Sequence, residues 1–409
     1  MNVLSLLGRF VGGKLRQRWL VHDAGETAGE FVSEATALNL SVVWACIRLL
    51  SENIACLPLV LYRRDASGAP TRAENNLLFA VLHDRPNPDF SALEFWEGVI
   101  FYLCTRGNAF AEVARRGDGS VVSLTLLEPD RVTVRRTAAG EREYRYADRD
   151  GWRILAADQI FHVRGFGPGQ DLGLSPITFG ARSMGIAMAA ESSAARAFAK
   201  GGRPTGFVGW RDTDSNPTPQ QWGQIKDLYF GEEAKKDRVG DVMPLPPGMT
   251  YTSTGLTPDD AQLLESRGFD VEVLCRWFLV QPVMIGHTTK ATSFGAGLEQ
   301  QNLWFLNRTL GPYLNRITDA ITHQLLLPAE RTTHYAEHDT RRLLQTDSLT
   351  RAKFYQAIVG APIITVNEAR AEENLPPVPG GDVLRVQKQD VPMAGPDSAP
   401  AAEREGAEA

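Results

Sequence analysis

Residues 173–202 read GLSPITFGARSMGIAMAAESSAARAFAKGG, and this stretch decides the fold. Ser175 followed by Pro176 marks a helix start, because serine caps free backbone amides and proline fits the first helical position. The next 25 residues, Pro176 to Lys200, include eight alanines, and Gly201-Gly202 ends the helix. Such a helix is about 37 Å long. Its small side chains let neighbouring helices approach closely, which favours side-by-side packing of long helices over a wide core.

A second long helix begins at Thr257-Pro258, where threonine is the cap and two acids follow at the positive helix end. The pattern predicts that it continues to about Val280. Five acids and two arginines give it a net charge of −3. The acids form a predicted acidic face: Asp259, Asp260, Glu265, Asp270 and Glu272. Between the two helices lies a small polar module, residues 203–256, with a strand at Gly206 to Trp210 and a helix beginning at Thr218-Pro219.

Downstream of the second helix, the sequence from Gly286 to Gly297 is rich in glycine and threonine and is predicted to be a loop. It leads into a long helix predicted from Leu298 to Leu327, with a kink near Gly311-Pro312. Thr332 to Asp339 alternates in the manner of an isolated strand. Two short helices follow: Ser348 to Val359, and Val366 to Glu373 with a capping box formed by Thr365 and Glu368.

Upstream of the first long helix, the sequence indicates a mixed α/β body. Helical spacing runs from Asn39 to Ile54, and a strand follows at Leu57 to Tyr62. Ser91 and Glu94 form a capping box for a second helix. Alternating segments at 131–135 and 143–146 flank Ala138-Ala139-Gly140, which is typical of a β-hairpin.

The charge of the chain argues against a protein that grips nucleic acid through a broad basic surface. The 409 residues carry a net charge of −6. The last twenty hold five acids and one arginine, so the first 389 residues are at only −2. Each phosphate neutralised by Lys or Arg adds affinity for DNA, and a nearly neutral body supplies few such contacts. We expect residues 389–409, rich in Pro, Ala and Glu, to be a disordered acidic tail.

Composition also bears on the compartment and on membranes. The four cysteines show no CxxC pair, which indicates reduced thiols in a reducing compartment. The longest apolar stretches fall short of the ~18 residues that a membrane span needs.

The N-terminal segment is basic. Residues 1–20 carry Arg9, Lys14, Arg16 and Arg18 without an acid, and Arg9 interrupts the apolar core that a signal peptide requires. We expect residues 1–36 to form a basic, mobile arm, with docking on a partner as the alternative.

One motif resembles a zinc-peptidase site. His334, Glu337 and His338 match H-x-x-E-H, which requires a helix so that both histidines share a face. Here the alternating flanks predict a strand, which would separate the two histidines by about 13 Å.

Two glycine-rich segments resemble phosphate-binding motifs but do not match them fully. Gly8 to Leu15 lacks the P-loop hydroxyl after Lys14, and Gly165 to Gln170 lacks the third glycine of a dinucleotide fingerprint. We therefore predict no enzyme, no metal and no cofactor.

The order of these elements, and the local motifs within them, resemble the portal proteins of tailed bacteriophages, in particular the compact class of long-tailed phages. The resemblance covers about Asn39 to Val386. Its carriers, in chain order, are Leu57-Pro58-Leu59, Arg85-Pro86-Asn87-Pro88, Gly107-Asn108-Ala109, Leu127-Glu128-Pro129, Ile160-Phe161-His162, Gly173-Leu174-Ser175-Pro176, Asp259 to Leu264, Asn367-Glu368-Ala369-Arg370, and Leu375-Pro376-Pro377 with Gly380-Gly381-Asp382. Each motif is weak alone, but nine in the same order are specific.

The resemblance implies an α+β, ring-forming portal fold, usually a dodecamer, in the capsid vertex of a virion assembled in the host cytoplasm. Double-stranded DNA would pass through the ring without sequence recognition, for packaging and ejection. The implied partners are terminase, the major capsid protein and a head-completion or adaptor protein, with no membrane. The implied segments are an α/β wing (37–174), stem helix 1 (175–202), a clip (203–256), stem helix 2 (257–281), a tunnel loop with a long helix and a wing return strand (282–342), and crown helices (343–388).

Within that frame, three groups of residues become candidate contact sites. The tunnel loop offers hydroxyls and one cation toward DNA: Thr288, Thr289, Lys290, Thr292 and Ser293. Its hinges are Gly286, Gly295 and Gly297, since glycine adopts backbone conformations that other residues avoid. In the clip, Lys235, Lys236 and Arg238 are expected to face the motor.

Two other classes of function stay open on the sequence alone. The first is a metal-dependent hydrolase using His334, Glu337 and His338, which predicts stoichiometric zinc. The second is a non-viral ring scaffold whose basic N-terminal arm contacts lipid, which predicts liposome binding that is lost when residues 1–20 are deleted. The sequence does not distinguish a phage from a phage-like gene-transfer particle.

Overall fold

A computed structural model gives the fold of the chain. It describes residues 26–27, 29–65, 68–199, 206–210, 218–220, 222–223, 249–253, 271–287, 296–340, 348–361, 363–373 and 375–384. Two compact units are present: residues 1–297 with 303–339, and residues 298–302 with 340–409. Within the described segments, no helix combines the length and the apolar character needed to cross a membrane.

The first unit contains the predicted α/β body. Its elements are β1 (Glu26–Thr27), β2 (Glu30–Phe31), α1 (Glu34–Ala37), α2 (Ser41–Ala55), β3 (Leu59–Arg64), β4 (Pro70–Arg72), α3 (Leu77–His83), α4 (Ala92–Arg106), β5 (Asn108–Arg115), β6 (Val121–Leu127), β7 (Val132–Arg136), β8 (Arg142–Asp148), β9 (Gly151–Ala156) and β10 (Ile160–Arg164). All strand pairs are antiparallel, in the orders β10-β5-β6, β7-β8-β9 and β13-β3-β4, where β13 is His334–His338.

Local sequence signals explain the two main helices of this body. Helix α2 buries Val43, Ile47, Leu50 and Ile54, which recur every three or four residues along one face. Each such side chain contributes roughly 1.5–3 kcal/mol when fully buried. Helix α4 begins at the predicted capping box, because the Ser91 amide donates to Glu94 at 2.8 Å and the Ser91 hydroxyl accepts from the Glu94 amide. The pattern therefore predicted the buried face of α2 and the start of α4.

Strand β13 shows why His334 to His338 alternates. It pairs antiparallel with β3, with His338 opposite Leu59 and His334 opposite Arg63. The segment is thus a strand, as predicted, but it is not isolated, because it joins the sheet formed by β3 and β4. Side chains alternate across a strand, so Glu337, which is exposed, points away from the face on which His338 is buried. The three residues of the zinc-peptidase motif therefore do not converge.

The segments after the body begin with the long helix α5 (Pro176–Ala199), which has the predicted bounds to within one residue. Strands β11 (Gly206–Trp210) and β12 (Met249–Ser253) pair with each other, so the polar module closes on itself at its base. Residues 271–277 are helical (α6), as predicted for the end of the second long helix. The helix predicted from Leu298 is present as α7 (Ala296–Trp304) and α8 (Gly311–Gln324), joined by a π-helical turn at Phe305–Leu310. This irregularity lies directly before the predicted kink at Gly311-Pro312.

In the second unit, α9 (Ser348–Gly360) and α10 (Val366–Glu372) occupy the predicted positions. The predicted capping box is present, since the Thr365 amide donates to the Glu368 carboxylate at 2.7 Å and the Glu368 amide donates to the Thr365 hydroxyl at 3.2 Å. The side-chain Nδ2 of Asn367 donates to the carboxylate of Asp382 at 2.7 Å. This contact ties α10 to the following Pro/Gly-rich segment.

Regular structure begins inside the segment predicted to be an N-terminal arm. Strands β1 and β2 pair as a hairpin, and Ser33 caps α1. The hairpin lies on α5, because a Cβ added to Gly185 would stand 2.7 Å from the Thr27 carbonyl oxygen. No local pattern indicates this contact, since it joins residues far apart in the chain.

Candidate functional site at the base of the long helices

Three glycines bring the α/β body against the start of helix α5. Gly107 ends α4 in the left-handed region, with φ at +71°. A Cβ on Gly107 would lie 2.3 Å from the Leu174 carbonyl oxygen, and one on Gly173 would lie 2.3 Å from the Gly107 carbonyl oxygen. A Cβ on Gly165 would likewise lie 2.7 Å from the Gly107 carbonyl oxygen. Only glycine permits this backbone-to-backbone contact, so each of the three positions is fixed by space.

Asn108, the residue after Gly107, satisfies the polar groups that this contact buries. Its Nδ2 donates to the Gly173 carbonyl oxygen at 3.0 Å, and its Oδ1 accepts from the Gly173 amide at 2.8 Å. Burying a backbone amide and carbonyl without partners would cost about 1–3 kcal/mol for each group. The Asn108 side chain thus pairs with the Gly173 backbone in the way that a neighbouring strand would.

His162 continues this buried network on strand β10. Its Nε2 lies 3.1 Å from Asn108 Oδ1, and its Nδ1 lies 3.2 Å from the Tyr144 hydroxyl. Burial, together with the positive charges of Arg164 and Arg142, lowers the pKa of His162 to about 3. The ring is therefore neutral at physiological pH, so that Nε2–H donates to Asn108 and Nδ1 accepts from Tyr144. Its role is structural, because both ring nitrogens are already occupied.

Ser175 anchors the first turn of α5. Its hydroxyl donates to the Thr105 carbonyl oxygen at 2.5 Å and accepts from the Thr178 amide at 3.1 Å. The predicted cap is therefore present, and it also bonds the helix start to the last turn of α4. Replacing a serine cap by alanine typically costs ~1 kcal/mol.

Helix α6, the end of the second long helix, packs beside α5. The indole Nε1 of Trp277 donates to the Ser183 hydroxyl at 3.3 Å. The Trp277 ring lies over Gly180, where an added Cβ would stand 3.1 Å from the ring. On the opposite side, Cys275 Sγ lies 3.9 Å from Cys46 Sγ of α2. The small residues of α5 thus serve the close approach of helices that the sequence predicted.

The end of α6 contains a strained residue. Leu279 has φ at +54°, a region that non-glycine residues rarely adopt. The amides of Leu279 and Val280 donate back to the carbonyls of Arg276 and Cys275, which is the hydrogen-bond pattern of a Schellman helix end. The Thr309 hydroxyl donates to the Leu279 carbonyl oxygen at 2.6 Å. Thr309 is buried in the π-helical turn, so that turn supports the strained helix end.

Most of the residues predicted to contact DNA or partners lie outside the described residues. These are Thr288, Thr289, Lys290, Thr292, Ser293 and Gly295 of the loop, Lys235, Lys236 and Arg238 of the polar module, and Asp259, Asp260, Glu265 and Asp270 of the second helix. Three of the predicted contact residues lie within the described residues: Gly286, Glu272 and Gly297. Gly286 has φ at +85° at the end of a short helical turn, and Glu272 lies 3.6 Å from Arg276 on the next helical turn. Gly297 lies inside α7, so the loop ends earlier than predicted.

Asn108 and His162, which form the buried network, belong to two of the sequence motifs, but sequence analysis assigned no role to them. A polar residue within an otherwise apolar strand was the available signal, because buried polar groups are normally paired. Their partners could not be identified, since Asn108 and Gly173 are separated by 65 residues. In the described part of the chain, no three His, Cys, Asp or Glu side chains are grouped to hold a metal ion.

Comparison with known proteins places these motifs in a family. The family described as Phage portal protein matches residues 41–374. The portal protein of Enterobacteria phage HK97 is 35% identical over 392 residues, which is 94% of this chain and 91% of that protein. A probable portal protein of Streptomyces phage phiC31 is 27% identical, covering 88% of this chain and 80% of that one. Among solved structures, a chain from the neck of an empty gene transfer agent particle has a TM-score of 0.59 at 23% identity, covering 83% of this chain and 91% of that one.

Proposed function

This chain belongs to the phage portal protein family, and we propose that it assembles into a closed dodecameric ring at one vertex of a phage or gene-transfer capsid. The ring is the channel through which double-stranded DNA enters during packaging and leaves during ejection. Its location is the portal vertex of the virion, reached after assembly in the host cytoplasm. We assign it a structural role without catalysis, since the strand geometry separates the members of its one metal-peptidase motif.

The observation that carries this proposal is the contact between the two long helices at their base. Trp277 bonds Ser183 and lies over Gly180, so α5 and α6 leave the α/β body side by side. A closed ring is built from heterologous contacts, in which one face of each subunit meets a different face of the next. A helix pair held at the body then repeats around the axis as the wall of a channel.

The charge of the chain fits a conduit that lets DNA slide. The acidic face proposed for the second helix, of which Glu272 is the described member, repels phosphate. The loop from Gly286 then supplies weak contacts, with one cation (Lys290) and four short hydroxyls in each subunit: Thr288, Thr289, Thr292 and Ser293. Contacts to phosphate position a duplex without reading its sequence. Such a ring of contacts steadies the duplex without locking it.

The partners are proposed from the segments of the chain. The polar module between the long helices, closed at its base by β11 and β12, meets terminase during packaging and a head-completion or adaptor protein afterwards. Lys235, Lys236 and Arg238 are its motor-facing cations. The α/β body of residues 37–174 meets the major capsid protein.

The native mass of the particle tests the ring. A dodecamer of 45.0 kDa chains has a mass of about 540 kDa. We expect the Gly180→Leu variant, which separates α5 from Trp277, to lose the ring, and Gly117→Leu, whose site is open, to keep it. A stable monomer or dimer of the parent at high concentration would contradict the proposal. A ring that persists in Gly180→Leu would show that the helix pair does not build its wall.

A further inference from the structure

A groove of about 400 Å³ lies on the surface of the α/β body between helices α2 and α4. Its apolar lining comes from Trp44 and Ile47 of α2 and Phe101 of α4. Trp44 is 51% exposed, which is unusual for so large an apolar side chain in a folded domain. Exposed tryptophans that line a concavity are typical of binding surfaces, because they bury a large area on contact.

The rim of this groove is acidic. Glu52, Glu94 and Glu97 line it against one cation, Arg48, which leaves a net charge of −2. Glu52 is paired with Arg48 at 2.7 Å. Hydrogen bonds from the backbone and hydroxyl of Ser91 lower the pKa of Glu94, so this carboxylate stays ionised at neutral pH. The groove therefore favours an occupant that is both apolar and basic.

A third feature indicates that the groove lacks part of its natural contents. Ser51 lines it, is only 3% exposed, and its hydroxyl has no hydrogen-bond partner. A buried hydroxyl without a partner costs about 1–3 kcal/mol. A peptide in the groove offers backbone carbonyl and amide groups that relieve this cost.

We propose that residues 1–20 of this chain dock in the groove between α2 and α4. This segment carries Arg9, Lys14, Arg16 and Arg18 with no acid, together with an apolar set formed by Leu4, Leu6, Leu7, Phe10 and Val11. It therefore matches both the acidic rim and the apolar lining. The match is independent of the proposed channel, since it concerns two body helices and neither of the long helices.

The position of helix α1 supports the same occupant. Phe101 lines the groove and also a neighbouring depression formed by Glu34, Ala35 and Leu38, which belong to α1 or follow it. Helix α1 therefore borders this side of the groove. Residues 1–20 join this part of the body through the β1–β2 hairpin, which lies on α5.

Site-specific photo-crosslinking in the full-length chain tests this docking. A benzophenone side chain is placed at Trp44, and a control at Trp152, which is 67% exposed on strand β9 and does not line the groove. After irradiation, peptide mass spectrometry maps the products. We expect Trp44 to give cross-links to residues 1–20 and Trp152 to give none to that segment. Cross-links from Trp44 to any other segment, or a yield no higher than the control, would overturn the proposal.

Charge reversal separates docking from chance proximity. We expect Glu94→Lys combined with Glu97→Lys to reduce the Trp44 cross-link to residues 1–20 by about five- to tenfold, since two rim contacts are lost. The matched variant Glu74→Lys, at an exposed acid outside the groove, leaves it unchanged. Adding Arg16→Glu and Arg18→Glu to the groove variant restores the yield. Failure of both the loss and the restoration would exclude this groove as the docking site.

Discussion

Asn108 and Gly173 exchange two hydrogen bonds across 65 residues of sequence. The Asn108 Nδ2 donates to the Gly173 carbonyl oxygen at 3.0 Å, and the Gly173 amide donates to Asn108 Oδ1 at 2.8 Å. One side chain thereby pairs with the backbone that leads into helix α5. Because the first long helix starts there, this pair sets the position of the helix relative to the sheet.

Removing the donor of Asn108 tests this arrangement. We expect Asn108→Asp to lower the free energy of unfolding by about 2–3 kcal/mol, because a charge is buried and the Gly173 carbonyl loses its partner. Denaturant unfolding of the purified chain measures it. As a control, Asn53→Asp removes one hydrogen bond on a half-buried helix face, to Leu49 at 2.8 Å, and we expect a loss below about 1 kcal/mol. Equal losses for the two variants would contradict the assigned role of Asn108.

Close packing against Gly107 should admit only glycine at position 173. A single methyl group there meets the Gly107 carbonyl oxygen at 2.3 Å, a contact that requires the backbone to move. We therefore expect Gly173→Ala to unfold the base of α5 and to lower the midpoint of thermal unfolding by several degrees or to prevent soluble expression. Gly117→Ala, at an open position, should match the parent. A parent-like Gly173→Ala would show that the packed glycines are not required.

Acid should destabilise the fold through its buried histidines. Burial lowers the pKa of His338 to about 4, from an ordinary value near 6.5, and its Nδ1 has no partner. Because the unfolded chain binds the proton more readily, the stabilisation is complete above pH 6.5 and declines toward pH 4, by up to about 1.4 kcal/mol per pH unit. We expect His338→Leu to flatten this part of the pH–stability curve. An unchanged slope would mean that His338 does not contribute to it.

At the strained helix end, a substitution of Leu279 is expected to preserve or raise stability, unlike the substitutions above. Glycine adopts φ near +54° without the ~1–2 kcal/mol penalty of other residues, so Leu279→Gly should be neutral or stabilising despite its entropy in the unfolded chain. Thr309→Val, which removes the 2.6 Å bond to the Leu279 carbonyl oxygen, should cost about 1–2 kcal/mol. Chemical denaturation measures both. A destabilised Leu279→Gly would show that leucine packing outweighs the strain.

The loop proposed to contact DNA is tested through its single cation. Lys290→Glu should leave ring assembly and thermal stability unchanged but alter DNA packaging or retention, because each subunit exchanges an attraction to phosphate for a repulsion. Deleting Thr288 to Ser293 should have a larger effect of the same kind. Counting DNA-filled particles and DNA released on heating measures both effects. Parent-like behaviour of both variants would remove the loop from the DNA channel.

The local structure of this protein could be predicted because its signals are local. The Ser91/Glu94 and Thr365/Glu368 boxes, Ser175-Pro176 and the alternation at His334 to His338 each report the backbone within a few residues of themselves. Periodicity and caps therefore predicted the main helices, several of the strands and the order of the segments. Nine motifs in that order were sufficient to indicate the family.

The sequence did not identify which residues meet. It quoted Asn108 and His162 without a role, treated β13 as isolated, and placed the residues near Thr27 in a mobile arm. Each outcome depends on a partner 54 or more residues away, or on the space beside another backbone. Hydrogen bonds and close packing depend on distance in space, whereas sequence patterns report only distance along the chain. Sequence therefore determined most of the elements and the family, and tertiary structure alone decided how the base of the long helices is held.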